Sequence, residues 1–123
     1  MVKDFRDLEI YKLSLGIAVD VYRITKLFPK EERFSLTDQL QRAIASIGAN
    51  IAEGFGRFHY KDKLIYCYNS RGSLYEAIYF LELAFEIGYV NERDKTDLIS
   101  RLDRLAVKLN NFISATKKTI SYN

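Results

Sequence analysis

Between Asp7 and Phe28 the apolar residues Ile10, Leu13, Ile17, Val21, Ile24 and Phe28 recur at spacings of three and four, the pattern of an amphipathic helix. Tyr11, Leu15, Ala18 and Tyr22 form a second stripe beside the first, so the buried face is wider than a coiled-coil seam. Pro29 ends this element, and the short charged turn Lys30-Glu31-Glu32-Arg33-Phe34 follows. Ser35 is the expected N-cap of a second helix, with Asp38 three residues on to favour the positive helix end. That helix carries Leu36, Leu40, Ala43, Ile44, Ile47 and Ile51 and should stop between Gly54 and Gly56.

A third helix is predicted from Lys61 to Ile87, roughly 40 Å long at about 1.5 Å per residue, with Gly88 as its left-handed C-terminal cap. Asn91 should cap a fourth helix, with Asp94 at the reciprocal position. Leu98, Leu102, Leu105, Leu109 and Phe112 mark its seam. Lys117 and Lys118 are expected in its last turn, where cations suit the dipole, and the tail Ser121-Tyr122-Asn123 is expected to fray. Four amphipathic helices with short connections predict an all-α fold, an antiparallel up-down-up-down four-helix bundle, as a single domain over residues 1–123.

The third helix departs from simple amphipathicity. Its first half is basic (Arg57, Lys61, Lys63 and Arg71 around it) and its second half acidic (Glu76, Glu82, Glu86). Between Leu74 and Phe85 apolar residues cover most of the circumference, more than two neighbours in a small bundle can bury. Its surface therefore calls for further cover, and a homo-oligomer is expected.

Composition fits this picture. Hydrophobic residues make up 48% of the chain and there is one proline, which argues against disorder. The net charge of +3 permits a polyanionic partner without requiring one. A lone cysteine, Cys67, fits a reducing compartment. The charged N-terminus lacks the apolar run of a signal peptide, and no apolar stretch is long enough to span a membrane. A cytoplasmic location is the expectation.

Reaction chemistry is sparse. One His and one Cys, with no Glu-x-x-His, argue against a metal centre. Cys67 and His59 stand about 12 Å of helical rise apart, too far for a nucleophile–base pair, and Cys67 reads as a small buried hydrophobe. Gly54-Phe55-Gly56 lacks the Lys-Ser/Thr and the preceding strand of a phosphate loop. The expectation is a non-enzymatic protein without catalytic residues, metal or cofactor.

Two polar features remain. Ser46, Asn50 and Glu53 fall at i, i+4 and i+7 on the second helix, facing Ser70, Arg71, Ser73 and Glu76 on the third. They read as a partly buried inter-helix network that fixes register, with a ligand site as the alternative, and Arg71 is the expected partner of Glu53. The second feature is charge. In an up-down bundle the N-terminus, the turn between helices two and three and the C-terminus share one end. That end gathers Lys3, Arg6, Arg57, Lys61, Lys63, Lys117 and Lys118 around Phe58, His59 and Tyr60. Basic side chains among aromatic rings suit phosphate contact and base stacking, and ordinary solvated charge accounts for them equally. Arg57, Lys61 and Lys63 are the primary candidates for nucleic-acid binding, Lys117 and Lys118 the secondary ones.

The string Asn50-Ile51-Ala52-Glu53-Gly54-Phe55-Gly56-Arg57, with Arg71-Gly72-Ser73-Leu74-Tyr75-Glu76 and the opening Phe5-Arg6-Asp7-Leu8, resembles the bacterial four-helix-bundle family of 23S rRNA intervening-sequence proteins. Accessory proteins of diversity-generating retroelements are relatives of that family. Gly48 departs from it, since many members carry proline there. The resemblance implies a homopentameric assembly with a basic surface, association with RNA or DNA and, in the retroelement relatives, a reverse-transcriptase partner. Two functions stay open: a nucleic-acid-binding oligomer with weak sequence preference, or a protein-interaction scaffold whose basic end meets an acidic partner.

Overall fold

The computed structural model describes residues 2–122, with side chains through Ile120; Asn123, the end of the tail expected to fray, lies outside the described residues. Four helices make up the fold: α1 (Glu9–Thr25), α2 (Leu36–Phe55), α3 (Tyr60–Ile87) and α4 (Glu92–Tyr122). Short 3-10 turns at Phe5–Asp7 and Lys30–Glu32 precede α1 and α2. Each helix packs on its neighbours in sequence and α1 closes on α4, while among the described residues the backbones of the diagonal pairs do not come close. The result is the up-down-up-down bundle that the periodicity predicts.

Helix α1 ends at Thr25, short of the expected Phe28. Pro29 restricts the residue before it to extended backbone, so the chain leaves the helix early, through turn bonds from the Leu27 and Phe28 amides to the Ile24 and Thr25 carbonyls. Phe28 is still buried, its ring against that of Tyr89. Ser35 holds the N-cap position of α2, but its side chain makes no capping bond there, contrary to expectation. Asn91 does cap α4, its Oδ1 accepting the Asp94 amide at 2.7 Å. Gly88 adopts φ 92° and returns its amide to Phe85, the left-handed stop that a side chain would resist. Helix α4 continues past Lys117 and Lys118, which lie before its final turn rather than in it. Ile113 and Thr116 extend its buried stripe, so packing carries the helix further than the dipole argument suggested.

One contiguous core fills the space between the helices, with Ile17, Leu40, Ile44, Leu74, Leu81 and Leu102 almost wholly buried. Helices α2 and α3 share the most extensive contact. Ser70, fully buried, donates its hydroxyl to the Ile47 carbonyl at 2.8 Å, and Ser73 bonds Ser46 at 3.0 Å. Between α1 and α2 a Cβ on Gly48 would stand 2.9 Å from the Ser14 hydroxyl, which explains a residue without a side chain at that crossing.

On the far side Arg101 of α4 donates to Asp20 of α1 at 2.7 Å and to Asp97 at 3.2 Å. The Arg101 hydrogen bond is the main cause that holds the Asp20 carboxyl below its ordinary range. A depressed folded pKa gives stability that is present above the unfolded value, about 3.9, and lost as pH falls through the folded one. Arg101→Ala should therefore cost about 1 kcal/mol or less at neutral pH, as for a partly exposed pair. Below the carboxylate range the difference from wild type should vanish, which urea titrations at several pH values will read.

Candidate nucleic-acid interface

The N-terminal turn, the α2–α3 turn and the end of α4 do meet at one end. The Phe5 and Phe55 rings lie 6.4 Å apart, and His59, Tyr60, Lys61, Asp62 and Ile120 line an open groove between the start of α3 and the end of α4. The basic residues of that end are not equivalent. Arg57 pairs with Glu53 at 2.8 Å, bonds the Tyr66 hydroxyl and stacks over the Tyr66 ring. The Glu53 hydrogen bond leads the causes that raise its pKa. Lys63 donates to the Phe55 carbonyl at 2.8 Å, placing its charge on the negative end of α2. Arg6 binds Asp4 at 2.6 Å, and these bonds lower the Asp4 carboxyl to about 2. Two of the three primary candidates thus hold the α2–α3 corner together, whereas Lys61 and Lys118 are exposed.

A sharper arrangement lies one step along the α3–α4 seam. The Arg71 guanidinium carbon and the Lys117 ammonium stand 5.1 and 5.7 Å from the centroid of the same ring, that of Tyr68. Arg71 is half-buried and its Nη1 donates to the Asn110 side-chain oxygen at 3.0 Å. A neutral amide orients the guanidinium without cancelling its charge. Lys61, Lys117 and Arg71 therefore follow one seam with Tyr68 among them, over about 15 Å of helical rise. Tyr68 and Asn110 are not apparent as site residues in the sequence. The Tyr68–Arg71 spacing of i, i+3 was a signal, but their meeting with Lys117 and Asn110 depends on the relative height of α3 and α4.

The polar network divides. Asn50 donates to the Ser46 hydroxyl at 2.9 Å and to the Ser46 carbonyl at 2.8 Å, and Ser73 joins from α3. Glu53 is exposed and pairs with Arg57, not with Arg71, and Glu76 is exposed on α3. The reason is angular: Arg71 lies on the α4 side of α3, so it cannot face α2 as Ser73 does. A double-mutant cycle of Glu53→Ala with Arg71→Ala should accordingly be additive in urea denaturation, and Glu53→Ala alone should cost little, as an exposed i,i+4 pair does.

Cys67 is buried, and burial pushes its thiol up, away from the reactive thiolate. Among the described residues no group of three or more His, Cys, Asp or Glu could hold a metal ion, and no helix is long and apolar enough to cross a membrane. Fold and site together define a helical-bundle protein that presents a charged, aromatic seam. Residues 6–111 match the pattern of the 23S rRNA-intervening sequence proteins, and the chain belongs to that family. Its fold is similar to the crystal structure of a protein of unknown function from the S23 ribosomal protein family of Bacteroides thetaiotaomicron VPI-5482. That likeness has a TM-score of 0.78 at 24% identity and covers 85% of this chain and 97% of the other. Among curated proteins no match is found.

Proposed function

We infer that this protein is a non-enzymatic, homo-oligomeric nucleic-acid-binding protein, with a pentamer the assembly that the family resemblance implies. Phosphates are held along the α3–α4 seam. The observation that carries this reading is the Tyr68 ring with both Arg71 and Lys117 over it, Arg71 being oriented by a neutral amide. Cations beside an aromatic face serve phosphate contact and base stacking together. Nothing in a helical bundle of this kind offers a recognition helix or a stacking sheet, so charge and shape govern binding over sequence.

Fluorescence anisotropy with duplex DNA and a structured RNA across a salt series tests this. Three phosphate contacts, from Lys61, Arg71 and Lys117, should give a log–log salt slope of about −2.7 for duplex DNA, at about −0.9 each. Arg71→Ala/Lys117→Ala should weaken binding at least tenfold at low salt and flatten the slope by two contacts' worth. A folded double variant that binds like wild type overturns the site. If wild type binds neither nucleic acid at low salt, the scaffold reading with an acidic protein partner replaces it.

A further inference from the structure

Two outward helix faces are apolar although nothing in the described chain covers them. On α3, Ile65, Tyr75, Tyr79, Leu83 and Ile87 are each between 37% and 60% exposed, and Gly72 among them leaves open space. On α1, Leu15, Val19 and Tyr22 are between 41% and 51% exposed. This second patch borders a groove of about 320 Å³ between α1 and α2, with Ala18, Ala45, Gly48 and Ala49 in its lining. One face is a ridge of large side chains, the other a trough of small ones.

The charges beside them are opposite. Lys12, Arg23 and Lys26 flank the α1 patch, and Glu76, Glu82 and Glu86 flank the α3 ridge. Of those glutamates only Glu82 makes an ion pair among the described residues, with Lys95. The heights also agree. Gly48 abuts Ser14, and Ser70 donates to the Ile47 carbonyl next to Gly48, so Ser14 and Ser70 are level. Helices α1 and α3 run in the same direction, which puts Tyr22 level with Ile78, next to Tyr79, and Lys26 level with Glu82. Two copies side by side in the same sense would therefore set apolar against apolar and the acidic half of α3 against Arg23 and Lys26. Inverting one copy would instead bring that acidic half towards Asp4, Asp7 and Glu9, and like charges oppose the contact.

We propose that a second copy of this chain occupies each face, the α3 ridge of one protomer seating in the α1–α2 trough of the next. This rests on the homo-oligomeric part of the function inferred above and names the surfaces that build the oligomer. Such an interface is heterologous and either closes into a ring or runs on as a filament. Helices α1 and α3 are diagonal in the bundle, but the trough lies between α1 and α2 and is thus turned towards α3. Successive contacts then curve, with α2 towards the inside of the curve and α4 outward.

The test uses the full chain with Tyr22→Cys and Tyr79→Cys, singly and together, treated with a short bis-maleimide and sized by denaturing gel. Wild type controls for Cys67, which burial keeps from the reagent. The double variant should give a covalent ladder beyond the dimer, and each single variant none. Covalent dimers from Tyr79→Cys alone would mean that the ridge meets its own copy about a two-fold axis and would overturn the proposal. Because both substitutions remove rings from the interface, Lys26→Glu and Glu82→Lys, the pair at one level, provide a second measurement by sedimentation equilibrium. Each alone should weaken association and the pair should restore it; failure to restore overturns the facing of these ends. Wild type that sediments as an oligomer while the double variant gives no ladder refutes only the surfaces. A wild-type monomer at micromolar concentration refutes the oligomer itself.

Discussion

Gly54→Leu should be strongly destabilising, while Gly72→Ala on the facing helix should stabilise. Gly54 is buried in the last turn of α2, and a Cβ there would lie 2.9 Å from Tyr66 Cβ and 3.4 Å from the Lys63 carbonyl oxygen. Both obstacles belong to the α3 backbone or the first atom of a side chain, so no rotamer change relieves the clash. The ends of α2 and α3 would have to part, withdrawing Lys63 from the Phe55 carbonyl and Arg57 from Tyr66. Overpacking of this kind costs about 1–3 kcal/mol and sometimes more, against a helix-propensity gain of about 1 kcal/mol for replacing glycine. Leucine adds three further carbons where the first already fails, so a net loss of about 3 kcal/mol is expected. At Gly72 a Cβ meets nothing within 4 Å in its own protomer, so in the dilute chain only the propensity gain of about 1 kcal/mol remains. Urea denaturation at matched protein concentration reads both. A neutral Gly54→Leu would mean that α2 and α3 are further apart than described.

The helices were legible because burial repeats along each one. Leu98, Leu102, Leu105 and Leu109 lie on one seam, and all four are buried. Caps were legible where a single residue decides the geometry, as Gly88 and Asn91 do. Boundaries set by competing effects were not: Pro29 acts on α1 through Phe28, and α4 outlasts its lysines because Ile113 and Thr116 still find the core.

The candidate site was legible only in part, and for a related reason. Spacing along one helix says which residues share a side, and it brought Ser46 and Asn50 together correctly. It does not fix how that helix is rotated against its neighbour. Arg71 could be placed on α3 from sequence, yet whether it faced Glu53 or Asn110 turned on that rotation. The same holds for the charges of the basic end. Counting Arg57 and Lys63 as available for phosphate omitted their local partners, the Glu53 carboxylate and the α2 carbonyls, which compete for the same donors. Lys117 was expected in the last turn of the fourth helix as a secondary candidate, and acquired a definite place once α4 carried it alongside Tyr68.

The largest loss of stability is expected at Leu81→Ala, two residues from a position where truncation should leave the fold nearly untouched. Leu81 is fully buried in the C-terminal half of α3 and belongs to the common core. Truncating a buried leucine removes its transfer free energy and leaves a cavity that the helices only partly close, together about 2–5 kcal/mol. Closely packed interiors cannot redistribute that volume cheaply. Tyr79, at 60% exposure, has the Phe80 ring as its aromatic contact. Tyr79→Ala should therefore change the stability of the dilute chain by about 0.5 kcal/mol or less. The two substitutions separate the inward and outward faces of one helix. Urea denaturation over a range of protein concentrations is the informative measurement, since binding between folded copies makes apparent stability depend on concentration. Leu81→Ala should lower the midpoint at every concentration. Tyr79→Ala should lower it only where wild type gains stability by self-association, so that the curves converge on dilution. A Tyr79→Ala midpoint well below wild type at the highest dilution would show that this ring is part of the protomer's own packing.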